Sequence, residues 1–392
     1  TLKRKRTEPV HKPKAVRFGP TIVYDAERCV MCTRCVRFCE EVVGDHVLDM
    51  RERGNKNEIV LSPGRELDHD YTLMTEHVCP VGSLTSRDFR FKARVWFLRS
   101  APSVCHGCAT GCNMHIDFDP RNQRIYRLRP RDNERVNRFW MCDDGMMTYK
   151  HFHEGRLLHA TIRQEEALTN VTMQEALSTA SEQLRGMDLS KIAVVLSAQH
   201  PTEDNFVLAA LAEKHFKNGL VYLAALGGWR GDAILRDSDN NPNRAGAQQC
   251  ASKPPGTLAQ LAEDIKSGKV EGAIVLGWAA EPNEKVLEAL SALRTLVNLT
   301  THPGAFASSA TVQIPVATHA EMYGSFVNAK GMTQHFKRAV PPPIGIEPAW
   351  LTLVNLAASM GFELNYTRFQ DLNQAVIESR THTLAADTQV FA

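Results

Sequence analysis

From about residue 165 onward the chain alternates short apolar runs with longer segments of helical periodicity. Ile192–Ser197, Leu220–Ala224, Ala273–Gly277, Val297–Thr301 and Val312–Val316 have the length and apolar content of buried strands. Thr202–Phe216, Glu284–Leu296 and Trp350–Met360 repeat apolar residues at helical spacing. Strands separated by helices of ten or more residues predict a parallel, doubly wound α/β sheet. Neither a Walker-type loop nor G-x-G-x-x-G follows any of these strands, and Gly227-Gly228 reads as a turn.

The first 150 residues have a different texture. Residues 1–20 form a basic arm in which Lys3, Arg4, Lys5, Arg6, Lys12, Lys14 and Arg17 face only Glu8. Thr21–Tyr24 reads as a short strand, Cys35–Val43 as helix and Glu58–Leu61 as a second strand before the turn Ser62-Pro63-Gly64. Phe89–Leu98 alternates charged and aromatic residues and is predicted as a strand. His115–Phe118 and Arg124–Leu128, separated by Asp-Pro-Arg-Asn, predict a hairpin. The expected organisation is therefore a basic arm (1–20), an α+β domain with five cysteines (21–98), a second small domain with four (99–150) and an α/β domain (151–392).

A chain of 392 residues with a net charge of +2 has no overall bias toward nucleic acid. No apolar run approaches the length of a membrane span, and the polar N-terminus lacks a signal-peptide core. Nine of the ten cysteines lie before residue 143, unlike the disulfide framework of a small secreted domain. Thiolate ligands imply a reducing compartment, so the expectation is the cytoplasm or the inner face of a membrane. The chain opens on Thr1 rather than on a methionine.

Eight cysteines form two quartets. Cys29, Cys32 and Cys35 are followed at a distance by Cys79-Pro80; Cys105, Cys108 and Cys112 are followed by Cys142. Three clustered cysteines plus one distant cysteine is a ligand pattern of [4Fe–4S] clusters. Structural zinc sites more often pair two C-x2-C units, so the three-plus-one spacing favours iron–sulfur, and zinc in an assembly scaffold stays the alternative. Cys39 competes with Cys79 for the first site, but it precedes Glu40 rather than proline, and Cys79 is preferred. Cys39 is read as a small buried residue and Cys250 as a lone thiol. Gly107 and Gly111 would let backbone N–H groups approach cluster sulfurs. His106 is read as a neighbour rather than a ligand. Arg87, Arg90, Arg94, Arg99 and the arginines from Arg121 to Arg138 are candidates to offset cluster charge.

These motifs resemble the large iron–sulfur subunit of respiratory complex I, the NADH:quinone oxidoreductase. The resemblance rests on Cys29–Phe38, Arg53-Gly-Asn55, Cys79–Arg94, Cys105–Asn113 and Trp140–Gly145, with a weaker echo at Gly324–Asn328, Gln334 and Lys337–Val340. It implies electron relay from an NADH/flavin-binding subunit toward quinone through the first quartet, with the second quartet holding a cluster off the main path. It also implies a molybdopterin-oxidoreductase-like α/β domain. With only about 240 residues in that region, no molybdopterin is expected there, and a scaffold role is. The family's N-terminal [2Fe–2S] domain and its site of one histidine and three cysteines have no matching motifs here, and His11 has no cysteine near it. Those clusters are expected on a preceding region or on a [2Fe–2S] partner subunit. The other implied partners are quinone-arm iron–sulfur subunits, and the implied location is the peripheral arm at the cytoplasmic face of the inner membrane. Soluble NAD-linked hydrogenases and formate dehydrogenases use similar modules and form the alternative assembly.

Overall fold

The computed structural model describes residues 11–165, 167–277 and 282–389. Its largest element is an eight-stranded sheet. Across it run Ala167–Val171, Ala160–Gln164, Val312–Pro315, Thr295–Thr300, Gly272–Leu276, Ile192–Ser197, Val221–Ala224 and Gly256–Thr257. The first two strands are antiparallel additions at one edge; the other six pair in parallel.

Side-chain alternation explains why helices cover both faces. Ile192, Val194 and Leu196 meet the helices Met173–Arg185, Thr202–Leu211 and Ala349–Ser359. Ala193 and Val195 point the other way, onto Leu261, Ile265, Val286 and Leu290 of Leu258–Lys266 and Glu284–Ser291. Every residue of Ile192–Ser197 is buried. Thr172 and Glu175 form a reciprocal capping box that starts Met173–Arg185, and Thr257 and Gln260 do the same for Leu258–Lys266.

Two expected elements differ. The helix predicted through Leu296 stops at Ser291, because Thr295–Thr300 is drawn into parallel register beside Gly272–Leu276. The predicted strand Phe89–Leu98 is a series of turns ending in the 3-10 turn Val95–Phe97, and strand structure begins only at Arg99. Its charged–aromatic alternation comes from local stacking instead. Arg90 lies over Phe91, Arg94 over Trp96 and Arg121 over Phe97, at 4.9, 5.2 and 4.1 Å.

The N-terminal part carries a three-stranded antiparallel sheet of Val16–Arg17, Ile22–Tyr24 and Leu84–Ser86, plus the hairpin Leu48–Arg51/Glu58–Leu61. A second three-stranded sheet follows, Arg99–Val104, Asn113–Asp119 and Arg124–Pro130. One hydrophobic core joins them: Ile22, Tyr24 and Leu84 share it with Met114, Ile116, Leu128 and Met146. Late residues then return to the second cysteine loop. The hairpin Gly324–Val327/Thr333–Phe336 brings Gln334, whose Nε2 donates to the Gly111 carbonyl at 2.8 Å. The Ala329 N–H donates to the Ala109 carbonyl at 2.8 Å. No helix among the described residues is long and apolar enough to cross a membrane.

Candidate metal centres

Cys29, Cys32, Cys35 and Cys79 line one cavity, together with Tyr24, Ile59 and Leu84. The loop bends around it because Met31 and Thr33 take left-handed backbone angles, φ 56° and 62°, unusual for residues with a side chain. Backbone N–H groups already point at sulfur. Met31 donates to Cys29 Sγ at 3.4 Å and Ser83 to Cys79 Sγ at 3.3 Å. Burial pushes the Cys35 thiol up to about 12, reinforced by Cys29, Cys79 and Cys32. A thiol so placed ionises when a cation takes its proton's place, which is what iron supplies. Cys35 is buried while Cys32 is exposed, so the site has an inner wall and an outer edge.

Cys39 is fully buried. It does not line this cavity, and its sulfur lies 3.5 Å from His69 Nε2.

The second quartet is buried throughout. Burial raises the Cys105 and Cys112 thiols well above their usual range, and Cys108 and Cys142 push both further up. Gly107 N–H donates to Cys105 Sγ at 3.4 Å and Gly145 N–H to Cys142 Sγ at 3.3 Å. Gly111 sits at φ +65°, as its place in the loop suggested. Gly107 does not take a left-handed angle. The glycine packed closest against the sulfurs is Gly145, which the spacing of the cysteines did not single out. A Cβ there would lie 3.1 Å from Cys105 Sγ and 3.4 Å from Cys142 Sγ.

Among the described residues no three His, Cys, Asp or Glu side chains are grouped to hold one metal ion. A tetrahedral zinc site needs its sulfurs about 2.3 Å from a single point, whereas a cubane spreads its thiolates over different irons. Both quartets share N–H donors to sulfur and thiols raised by burial.

Three of the arginines expected to offset cluster charge face carboxylates instead. Arg127 and Arg129 pair with Asp117 at 2.9 and 2.6 Å, and Arg121 with Asp119 at 2.5 Å. The cation that acts on Cys142 is Arg236, from the α/β region. Its buried guanidinium meets Asp144 and Asp70, each at 2.6 Å. Nothing in the local sequence around Arg236 announces this, because its partners lie more than 90 residues away.

The two quartets are also tied to each other. Asp143, next to Cys142, accepts the N–H groups of Thr72 and Leu73 at 2.9 and 2.8 Å. Leu73 precedes the helix Met74–Val78, which ends at Cys79. Between the two loops, Phe38 and Trp140 hold their ring centroids 5.0 Å apart.

Comparison with known families defines the class first. The ferredoxin-like domain of NADH-quinone oxidoreductase subunit 3 matches residues 19–85, and the molybdopterin oxidoreductase Fe4S4 domain matches 98–154. The molybdopterin oxidoreductase family matches 226–359. The first two segments each enclose one complete cysteine quartet, so the chain is similar to iron–sulfur domains followed by a molybdopterin-oxidoreductase-like region.

The particular relatives are consistent. NADH-quinone oxidoreductase subunit 3 of Thermus thermophilus is 32% identical over 203 residues, 52% of this chain and 26% of that protein. An NADH-quinone oxidoreductase subunit from Rickettsia conorii is 31% identical over 196 residues, 50% of this chain and 29% of that protein. Its counterpart from Mycobacterium bovis is 28% identical over 204 residues, 51% and 25%. The resemblance to the complex I iron–sulfur subunit thus holds over half of this chain, while the match spans only about a quarter of those relatives. Acetylene hydratase from Pelobacter acetylenicus superposes with a TM-score of 0.45 at 9% identity, over 67% of this chain and 69% of that one, too distant a likeness to carry weight.

Proposed function

We propose that this chain is an electron-transfer component of a complex I-type NADH:quinone oxidoreductase. Cys29, Cys32, Cys35 and Cys79 would hold a [4Fe–4S] cluster on the relay from the NADH/flavin-binding subunit toward quinone. Cys105, Cys108, Cys112 and Cys142 would hold a second one off that path. The observation that carries the reading is the first quartet itself: four cysteines around one cavity, with Cys32 at an exposed edge, inside the segment that matches the subunit 3 ferredoxin-like domain. A cluster near the surface can exchange an electron with a partner, whereas the wholly buried second quartet is better suited to a structural role. The cluster supplies one-electron storage. The chain's own residues hold the thiolates in place and set their hydrogen bonding.

Residues 21–98, 99–150 and 151–392 are proposed as the two cluster domains and a scaffold. Molybdopterin bears a phosphate, and the crevice at the strand ends of the α/β region supports no role in binding it: among its described lining residues none is lysine or arginine. The proposed partners are the flavin subunit, a [2Fe–2S] subunit and quinone-arm iron–sulfur subunits. The proposed setting is the peripheral arm at the cytoplasmic face of the inner membrane.

Anaerobic loading with iron and sulfide tests the reading. About eight irons per chain and two distinct EPR signals on reduction are expected. Cys32→Ala should remove one signal and stop electron flow to quinone in the assembled complex. Stoichiometric zinc with no signal, or full activity of the Cys32→Ala complex, would sink it.

A further inference from the structure

One short segment holds its large apolar side chains out in solvent. Phe91, Val95, Trp96 and Phe97 are 89, 56, 71 and 44% exposed. Among the described residues they make up four of the thirteen exposed large hydrophobic side chains, within seven positions. Clustered exposure of this kind marks a surface for a partner, whereas single exposed apolar residues are ordinary. Phe91 also sits at φ +63°, a left-handed angle that an aromatic residue rarely adopts. A backbone under strain here presents its ring to solvent. The segment leaves the strand Leu84–Ser86, whose Leu84 lines the first cysteine cavity, and leads into Arg99–Val104, which ends at Cys105. The surface therefore lies on the connection between the two cysteine sites.

The charge on this segment is nearly all of one sign. Arg87, Arg90, Lys92, Arg94 and Arg99 stand against Asp88 alone. Asp88 is already engaged, accepting the Tyr149 hydroxyl and lying 3.7 Å from Lys150. Among the described residues none of those five cations pairs with a carboxylate. Arg90 and Arg94 lay their guanidinium groups over Phe91 and Trp96. Stacking uses the flat face of a guanidinium and leaves its N–H edge for a carboxylate. Arg90 spends one N–H on Thr85 Oγ1 at 3.3 Å, and Arg94 donates to no acceptor among the described residues.

The same stacking decides the class of partner. A nucleic-acid base stacks on open ring faces, and here the guanidinium groups already cover one face of Phe91 and of Trp96. A bilayer would have to draw those guanidinium groups toward hydrocarbon along with the rings, which is costly. Arginine and tryptophan side by side are what protein partners bury at the energetic centre of an interface. The chain's own basic arm has the same sign of charge and is no match for this surface.

We infer that Phe91–Phe97, with Arg87, Arg90, Lys92 and Arg94, is a docking surface for an acidic face of a neighbouring subunit. That face supplies carboxylates to the arginines and an apolar pocket to Trp96. The inference rests on the reading of this chain as a component of an electron-transfer assembly, and adds the chemistry of one contact.

Hydroxyl-radical footprinting of the isolated chain and of the purified complex, read by mass spectrometry, tests it. Oxidation of Phe91 and Trp96 is expected to fall about tenfold in the complex, as docking excludes water. Carbodiimide joins an amine to a touching carboxylate without a spacer. It is expected to link Lys92 to an aspartate or glutamate of a different subunit. Arg90→Glu combined with Arg94→Glu should release the chain from the complex, and the paired lysine substitutions should retain it more weakly than the parent. Iron content and EPR signals of the isolated variants establish that both cysteine sites are intact. A purified complex that lacks the chain sinks the functional reading and this inference with it. Undiminished oxidation of Phe91 and Trp96 in a complex that holds the chain, or retention of the glutamate variant at parental strength, overturns this inference and leaves the electron-transfer reading standing. A Lys92 link only to a second copy of this chain does the same.

Discussion

Asp143 Oδ1 accepts the backbone N–H of Leu73 at 2.8 Å, and Asp143 Oδ2 accepts that of Thr72 at 2.9 Å. One carboxylate adjoining Cys142 thereby fixes the start of the segment that delivers Cys79. Removing it leaves two backbone donors without their acceptor. Asp143→Ala is expected to cost about 2–4 kcal/mol in urea unfolding. Asp143→Asn, which keeps one acceptor oxygen, should cost less. An alanine variant as stable as the parent would show that the two loops are held together by other contacts.

Gly145→Ala should separate the two centres. The added methyl meets Cys105 Sγ at 3.1 Å, Met141 Cε at 3.2 Å and Cys142 Sγ at 3.4 Å. Iron content is expected to fall from about eight to about four per chain, with the EPR signal of the first quartet retained. Loss of both signals would mean that the centres do not assemble independently.

Cys39 and Cys79 should respond differently to alanine. Cys79 lines the first cavity and Cys39 faces His69. Cys79→Ala is expected to abolish the first cluster. Cys39→Ala should leave it intact at a cost of about 1 kcal/mol, the scale of a small buried truncation. Iron analysis of the two variants decides between them.

Glu203 gives the protein a pH dependence. Its carboxylate accepts the Ser325 N–H at 2.8 Å and the Ser325 hydroxyl at 2.9 Å, yet burial raises it to about 7 from an ordinary value of 4.5. The folded chain therefore holds a proton more tightly than the unfolded chain. The associated stability is fully present below about pH 4.5 and is lost as pH rises through about 7, on the order of 3 kcal/mol in all. Glu203→Gln should flatten that part of the profile, gaining on the parent between pH 5 and 8 in urea titrations. Parallel profiles for parent and variant would count against it.

Much of this was legible in the residues. Buried strands announce themselves through uninterrupted apolar runs, and the parallel sheet follows from runs such as Ile192–Ser197 and Gly272–Leu276. The quartets were visible because thiolate spacing is local on three of every four ligands. What escaped was whatever depends on distant partners. Phe89–Leu98 looked like a strand because arginine–aromatic stacking also produces alternation. Asp143 and Gly145 stood out only as members of the Trp140–Gly145 motif, and Arg236 gave no local signal, since each acquires its role from residues brought close only by folding.

The hairpin that returns to the second cysteine loop also sets a timetable. Asn113 and Gln334 are hydrogen-bonded across 221 positions, so on the ribosome the loop emerges long before its clasp. Contacts of such separation form late and slowly. The second cysteine loop therefore lacks this clasp until Gln334 has left the ribosome.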